Sequence, residues 1–279
     1  MNKVAFMTID VESLYDSELL KKRMKYDPKY SYEGYLKDYI DLLNKYNIKA
    51  TLFVLESSVE KIKDIIEYAI KSGHEIALHG MSHTSPLDQT NEEFKNSIIV
   101  AKNHLEEEFN IKIKGYRAPC FGIDDDKINI IKNIGFKYDS SNLDFHLAKK
   151  SGKINLTDYN KDYSNVASDD GFYEFSLAKV KAYGGHLPVS GGGYIRLVPW
   201  FVMKYYIKKY FKTADSYVFY AHPFELGCGK IPHFKDLNWK ENLYLRVGRK
   251  QYIKKIEYLI KLLRKKNFEF MTMGEYGNR

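Results

Sequence analysis

Short apolar runs alternate along this chain with amphipathic helix patterns, and this alternation limits most strongly how it can fold. Ser31–Tyr46 and Ser58–Lys71 repeat apolar residues at helical spacing. Three runs on either side of them have the length and composition of buried strands: Val4–Ile9, Ala50–Leu55 and His74–Leu78. The pattern continues to a last strand at Phe268–Thr272. It predicts an α/β fold with a parallel sheet that is closed or nearly closed.

The 279 residues contain no internal repeat and no low-complexity linker. We therefore expect one domain over residues 1–279, with long loops near 142–195 and 222–245. Within the first of these loops, Phe172–Leu177 has the composition of a strand. The glycines at 191–193 predict a loop before a helix near 198–212.

The chain is basic, with 44 Lys and Arg against 36 Asp and Glu and a net charge of +8. The excess lies at 204–212 and 246–266, where the charges alternate with apolar positions at helical spacing. Solvated helix faces explain this pattern. Attraction to an anionic partner, such as a lipid-linked phosphate or a membrane surface, explains it as well. No nucleic-acid-binding module is recognisable, and we expect no nucleic-acid partner.

Cys120 and Cys228 are the only cysteines, which is too few for a disulfide framework or a thiolate zinc site. The N-terminus leads directly into a strand pattern, without a charged n-region and a cleavage site. No stretch approaches the ~20 uninterrupted apolar residues of a membrane-spanning helix. We expect a cytoplasmic protein, and association with a membrane surface stays open.

Polar side chains that could act in catalysis or bind a metal follow the predicted strands at the point where each strand ends. These residues are Asp10, His79, Arg117, Asp139 and His222. Because the carboxyl ends of parallel strands meet at one edge of the sheet, we expect the five side chains to share a site.

Two pairs of residues have the spacing of metal ligands. Asp10 and Glu12 point to the same face of a strand, while Val11 points to the other face. His79 and His83 are four residues apart and can share one face of a helix. Two imidazoles and one carboxylate suit zinc and leave a position open for water. A salt-bridged pair at a strand end and two unrelated loop histidines are the alternatives.

Three further residues have the chemistry of catalytic or supporting groups. Arg117 can orient a carboxylate through a bidentate pair. His222 can act as a general acid, because an imidazole titrates near neutral pH. Asp139 can orient that imidazole. An ordinary ion pair or a loop hydrogen bond is the alternative for each.

Taken together, these motifs resemble those of the polysaccharide deacetylases, the NodB-homology family of carbohydrate esterase family 4. The similar segments occur in the family's order: Thr8-Ile9-Asp10-Val11-Glu12, His79-Gly80-Met81-Ser82-His83, Arg117-Ala118-Pro119-Cys120-Phe121, Tyr138-Asp139-Ser140-Ser141 and Tyr220-Ala221-His222-Pro223. Gly191–Arg196 and Phe270–Met273 also resemble the branch associated with bacterial exopolysaccharide clusters.

The resemblance implies a distorted (β/α)7-type barrel and metal-dependent removal of N-acetyl groups from an amino-sugar glycan or its precursor. It implies Asp10 as the general base and Arg117 as the residue that tethers it. It further implies His222 as the general acid and Asp139 as its support. The substrate would be an N-acetylated sugar, either free or lipid-linked.

One position departs from the commoner family pattern, which has two adjacent Asp residues with the second on the metal. Val11 stands at that second position here. The resemblance therefore assigns the metal to Glu12, His79 and His83, with Zn²⁺, or else Co²⁺, Ni²⁺ or Mn²⁺, as the ion.

Two other functions stay open: an allantoinase-like hydrolase of cyclic amides, and a glycan-binding module without turnover.

Overall fold

The computed structural model of the protein describes residues 2–16, 23, 30–143, 152–182, 184–227, 229–232, 234 and 236–277. Cys228 and parts of both predicted long loops lie outside the described residues. The strands are β1 (Lys3–Val11), β2 (Ala50–Val54), β3 (Glu75–Leu78), β4 (Gly115–Tyr116), β5 (Tyr138–Asp139), β6 (Asn160–Tyr163), β7 (Val166–Asp169), β8 (Phe172–Phe175), β9 (Lys179–Ala182), β10 (Gly185–Pro188), β11 (Ser216–Phe219) and β12 (Phe268–Phe270). The helices are α1 (Glu33–Lys45), α2 (Val59–Lys71), α3 (Asn91–Phe109), α4 (Asp125–Ile134), α5 (Gly192–Leu197), α6 (Trp200–Tyr210), α7 (Pro223–Leu226), α8 (Trp239–Arg246), α9 (Arg249–Lys265) and α10 (Met273–Tyr276).

A parallel sheet forms the centre of the fold, with the strand order β11–β1–β2–β3–β4–β5–β8. β12 pairs in parallel with the first residues of β1, and β7 and β6 extend the sheet beyond β8 in antiparallel fashion. Side chains connect its two ends: the N–H of Ser164 donates to Asp215 at 2.7 Å, and the N–H of Asn165 donates to Ser216 at 2.8 Å. The sheet is therefore a nearly closed barrel, and the predicted fold class is confirmed.

The alternation of side chains along β1 separates the barrel interior from the outer helix layer. Phe6 belongs to the interior cluster, whereas Ile9 and Val11 belong to the cluster that packs against the helices. Asp10 and Glu12 continue the interior series of Phe6. The strand therefore carries two carboxylates into the barrel at its carboxyl end.

The opposite end of the barrel is closed by α10. The ring of Tyr276 packs edge-to-face against Phe6 and Phe175, with centroid separations of 5.8 and 5.7 Å. Thr272 and Glu275 form the capping box that begins this helix. Because this end is filled with aromatic side chains, the carboxyl end of the strands is the one that is open for chemistry.

The helices predicted at 31–46 and 58–71 are confirmed as α1 and α2, with slightly shorter bounds. The region predicted as a loop near 142–195 contains the strands β6 to β10, each of four residues. The strand predicted at Phe172–Leu177 is confirmed as β8, whereas β6, β7, β9 and β10 are mostly not buried and no apolar run marks them. The predicted glycine loop is shorter than expected, because α5 already begins at Gly192. The second long loop contains α7 and α8.

Among the described residues, no helix combines the length and the apolar character needed to cross a bilayer.

Candidate active site and metal centre

The same alternation that directs Asp10 inward also directs the other site residues inward. Ala77 in β3 and Tyr220 after β11 belong to the interior cluster. His79 and His222 lie two residues beyond them, so each imidazole points into the open end of the barrel. The sequence thus brings one carboxylate-bearing strand and two histidine-bearing strands to a common centre.

Glu12, His79 and His83 form a compact cluster, in which one potential ligand atom from each residue lies within 4.8 Å of the others. Nε2 of His83 lies 2.6 Å from Oε2 of Glu12, and Nε2 of His79 lies 3.7 Å from the same oxygen. The side chains of Glu12 and His79 are buried, and that of His83 is nearly so. The three residues predicted as metal ligands are therefore brought together.

The two histidines do not share a helix, and the prediction of a common helical face was wrong. Residues 79–83 form an irregular loop, and Gly80 within it has a φ of +111°. This left-handed conformation favours glycine. The loop turns back after β3 and places the two rings 5.7 Å apart.

Two observations show that this cluster fits a divalent cation. Nδ1 of His79 is 2.8 Å from the carbonyl oxygen of Arg117, so Nδ1 carries the proton in that bond and Nε2 keeps its lone pair towards Glu12. Oε2 of Glu12 is buried and accepts no well-aligned hydrogen bond, although two imidazole nitrogens approach it. A buried carboxylate oxygen without a hydrogen bond is costly, and a shared cation would satisfy it.

The charges in this cluster are coupled. Burial disfavours the ionised form of Glu12, but the charge of His83 and the close imidazole nitrogens of His79 and His83 outweigh it and hold the pKa of Glu12 well below its ordinary value. Burial lowers the pKa of His83, and the Glu12 carboxylate more than offsets this and raises it. Glu12 is therefore a carboxylate at neutral pH, which is the form that binds a metal.

Asp10 is held by Arg117 in a fully buried ion pair, with Nη1 of Arg117 2.6 Å from Oδ1 of Asp10. The pair is not bidentate, which corrects the sequence prediction. Nη1 also donates to Thr8, whereas Nη2 and Nε donate to the side chain and the carbonyl of Ser140. The guanidinium carbon lies 4.0 Å from the ring centroid of Phe53. Arg117 thus fixes one oxygen of Asp10 and leaves Oδ2 directed at the site.

His222 faces both carboxylates of β1. Its Nε2 is 3.5 Å from Oε1 of Glu12 and 3.9 Å from Oδ2 of Asp10. The other nitrogen, Nδ1, is 3.1 Å from Oε2 of Glu225, which also accepts the backbone N–H of His222 at 3.1 Å. Glu225 is the third residue of the short helix α7, so the two residues form a capping box.

Burial lowers the pKa of His222, but the hydrogen bond to Glu225 and the charge of Glu12 outweigh it and raise the pKa to about 9. With this pKa the imidazole of His222 carries a proton at physiological pH, as a general acid requires.

Glu225 is in turn anchored by Arg196, and both side chains are fully buried. Nε of Arg196 donates to Oε1 of Glu225 at 3.1 Å, and its two terminal nitrogens donate to the carbonyls of Val247 and Tyr244. Arg196 belongs to the glycine-rich motif at 191–196. The motif therefore contributes to the site indirectly, because Arg196 contacts Glu225 and Glu225 contacts His222. The sequence did not indicate this role.

Asp139 does not take the predicted place beside His222. Tyr138 points into the barrel, so Asp139 points to the outer face. There it accepts hydrogen bonds from the backbone and hydroxyl of Ser141 and lies opposite Glu174 of β8. Its effect on the site is indirect, because the loop that it holds includes Ser140, a partner of Arg117.

Asp139 and Glu174 form a buried pair of carboxyl groups. Burial and the neighbouring Asp139 raise the pKa of Glu174 well above its ordinary value. Oε1 of Glu174 accepts the N–H of Asn142 at 2.9 Å, whereas its buried Oε2 has no hydrogen-bond partner among the described residues. Burial also raises the pKa of Asp139, to about 6, although the two donors from Ser141 oppose this rise. Because the charge of Asp139 raises the pKa of Glu174 further, Glu174 is the member of the pair that keeps its proton to the higher pH.

Comparisons with known proteins relate two parts of this chain to family models. Residues 24–138 match the model of the family described as polysaccharide deacetylase. This match covers less than half of the chain and shows a similarity to the polysaccharide deacetylases. Residues 148–278 match a second model, described as a domain of unknown function, DUF3473. The site draws on both regions, since His79, His83 and Arg117 lie in the first and Arg196 and His222 in the second.

Individual relatives support the same assignment. The peptidoglycan deacetylase of Helicobacter pylori is 26% identical over 102 residues, which are 37% of this chain and 35% of that protein. The chain thus spans about a third of this curated relative. Among solved structures, a putative polysaccharide deacetylase from Mycobacterium smegmatis is 18% identical, with a TM-score of 0.62 over 100% of this chain and 90% of that one. PuuE allantoinase is 12% identical, with a TM-score of 0.64 over 99% and 89%. At these identities the two structures establish the fold alone.

Proposed function

We propose that the protein is a metal-dependent hydrolase that removes N-acetyl groups from an amino-sugar glycan or a glycan precursor. One observation carries the proposal: the carboxylate of Asp10 and the imidazole of His222 both face the buried cluster of Glu12, His79 and His83. A base, an acid and a set of metal ligands within one pocket are what amide hydrolysis by water requires.

Glu12, His79 and His83 would hold the ion. Imidazole nitrogen and carboxylate oxygen suit zinc, and three protein ligands leave a position open, as in catalytic zinc sites. Co²⁺, Ni²⁺ and Mn²⁺ also accept such donors. When bound, the ion would supply Lewis acidity for the amide carbonyl and for water.

The protein's own residues then act in two proton transfers. Asp10, oriented by Arg117, accepts a proton from the water that attacks the acetyl carbonyl. His222, positioned by Glu225, donates a proton to the sugar nitrogen as the C–N bond breaks. Acetate and a free amine are the products, and each proton that is taken up is matched by one that is released.

The spacing of the two carboxylates also has a structural reason. Val11 is fully buried among the residues that pack against the helices, so a carboxylate at this position would point away from the site. Glu12 is the next residue that faces the barrel interior. The assignment of Glu12 rather than residue 11 to the metal rests on this alternation.

The substrate is proposed as an N-acetylated sugar, because the Helicobacter pylori relative is named a peptidoglycan deacetylase. We further propose that the protein belongs to the branch associated with bacterial exopolysaccharide clusters. This proposal is supported by the motif at 191–196, which supplies Arg196 as the partner of Glu225. A lipid-linked substrate belongs to the same proposal and is supported by the lysine-rich surface of α6. The cytoplasmic location stays a prediction.

Acetate release from N-acetylated oligosaccharides is the experiment that tests this function. The zinc-loaded protein should release acetate and free amine in equal amounts from chitin or peptidoglycan fragments, and the variant H222A should be strongly impaired. A parallel reaction with allantoin tests the rival hydrolase. Turnover of allantoin without acetate release, or stoichiometric zinc without turnover of any of these substrates, would contradict the proposal.

A further inference from the structure

The outer surface formed by α6 and α9 carries a concentrated positive charge. A groove of about 420 Å³ runs between the two helices. Six lysines line it: Lys204, Lys208, Lys212, Lys261, Lys265 and Lys266. No acidic side chain lines this groove among the described residues, and α6 contains no acidic residue at all. We name the groove and the exposed aromatic residues beside it the basic face.

Among the described residues, the one acidic residue in an ion pair with a groove lysine does not neutralise the surface. Glu257 of α9 pairs with Lys45 at 3.0 Å and accepts a hydrogen bond from Tyr46 at 2.6 Å, both on the side of α1. Of the groove lysines it reaches Lys261, at 3.4 Å. The other five form no ion pair with a described residue, so their charges face solvent together.

Large aromatic side chains stand among these lysines. Phe201 and Tyr205, one helical turn apart on α6, have exposed fractions of 76% and 63%. Tyr258 of α9 is 54% exposed, and its ring stacks on Trp200 with a centroid separation of 6.0 Å. Exposed aromatic residues next to lysines are typical of surfaces that lie in the interface of a membrane.

Helix electrostatics explain only part of this arrangement. Lys208 and Lys265 lie in the last turns of their helices, where a cation interacts favourably with the helix dipole. Lys204 in the middle of α6 and the exposed ring of Phe201 have no such explanation. Their combination suits a partner that is anionic and also accepts aromatic side chains.

We propose that the basic face docks the protein on the surface of an anionic lipid bilayer. The lysines would lie at the level of the lipid phosphates, and Phe201 and Tyr205 would enter the boundary between headgroups and acyl chains. Each lysine near an anionic leaflet adds attraction, and several together with aromatic anchors give reversible binding. The proposal stands on the charge and exposure of these residues and does not depend on the catalytic function.

Flotation with lipid vesicles tests the proposal on the full chain. Wild-type protein should float with vesicles of phosphatidylcholine mixed with phosphatidylglycerol, should not float with phosphatidylcholine alone, and should be released partly by high salt. The variant K204E/K208E/K212E should bind the anionic vesicles at least about a hundredfold more weakly. F201A/Y205A, which keeps every charge, should lose the fraction of binding that survives high salt.

A matched control separates the basic face from net charge. K61E/K95E/K137E changes the same number of exposed lysines on α2, on α3 and before β5, and should bind like the wild type. Three results would overturn the proposal: no binding of the wild type to anionic vesicles, equal losses in both triple variants, or tighter binding to single-stranded RNA that K204E/K208E/K212E abolishes. Thermal unfolding of each variant would verify that it is folded.

Discussion

Glu225 contacts the imidazole of His222 at the nitrogen that faces away from Asp10 and Glu12, with Oε2 of Glu225 3.1 Å from Nδ1 of His222. The two residues belong to one helical turn, and the buried Arg196 fixes the other oxygen of Glu225. The proposed acid is therefore positioned by its own sequence neighbour and by the glycine-rich motif. The more distant Asp139 acts on the loop that supports Arg117 instead.

Replacing Glu225 by Gln should lower kcat about tenfold to a hundredfold, because general acid catalysis contributes on the order of 10² to 10⁴ in rate and a misplaced imidazole loses part of it. KM should change little, since Glu225 lies behind His222. Steady-state kinetics of acetate release would measure both values.

A matched control for Glu225 exists in α3. Glu93 also completes a capping box, with Thr90, but lies exposed and belongs to none of the site contacts. E93Q should therefore retain wild-type kinetics. Equal kcat values for E225Q and the wild type would show that Glu225 does not position the acid.

Arg117 should contribute strongly to stability as well as to the site. Its guanidinium is fully buried and pairs with the equally buried Asp10. Removal of one partner of a buried ion pair leaves an uncompensated charge and typically costs about 3–5 kcal/mol. R117M should lose that amount of unfolding free energy, measured by urea denaturation of metal-free protein.

The control for Arg117 is Arg246, which lies exposed and donates to Asn242 within α8. R246M should stay within about 0.5 kcal/mol of the wild type. If R117M unfolds at the same urea concentration as the wild type, the ion pair is not a structural element.

The Asp139–Glu174 pair should make stability fall with rising pH. The pKa of Glu174 is raised in the folded state, so its contribution is complete below the ordinary carboxyl pKa and is lost as pH rises through the folded pKa. Between these two values, wild-type stability should fall relative to that of E174Q by about 1.4 kcal/mol per pH unit. Urea unfolding over a pH series would measure this slope.

The variant E174Q has no proton to lose at this position and can donate its amide to Asp139. E33Q, at an exposed position of α1, is the control and should follow the wild type at every pH. Parallel pH profiles of E174Q and the wild type would contradict the assignment of a retained proton to Glu174.

The convergence of the site could be predicted from the sequence because local patterns determine it. The apolar run before Asp10 and the run before His79 define where each strand ends, and side-chain alternation determines which residues face the barrel. The position of Glu12 beyond Val11 follows from the same alternation. The structure places these residues at the strand ends and on the barrel face that the sequence predicts.

The placement of the supporting residues was not predicted, and the reasons differ between Asp139 and Glu225. β5 is two residues long, so no alternation could show that Asp139 faces outwards. The pairing of Asp139 with Glu174 depends on the register of distant strands. For Glu225 a signal existed: a Pro at the first helical position and a Glu two residues later, directly after His222, match a capping box.

Anomalous diffraction at the zinc edge from crystals of the zinc-loaded protein tests the central claim most directly. We predict one strong peak per chain, bound by the carboxylate of Glu12 and by the imidazoles of His79 and His83, with Asp10 still paired to Arg117. The peak should be absent in E12Q and present in D10N. A peak bound by Asp10 with Glu12 turned away, or no peak between the two histidines, would contradict the account.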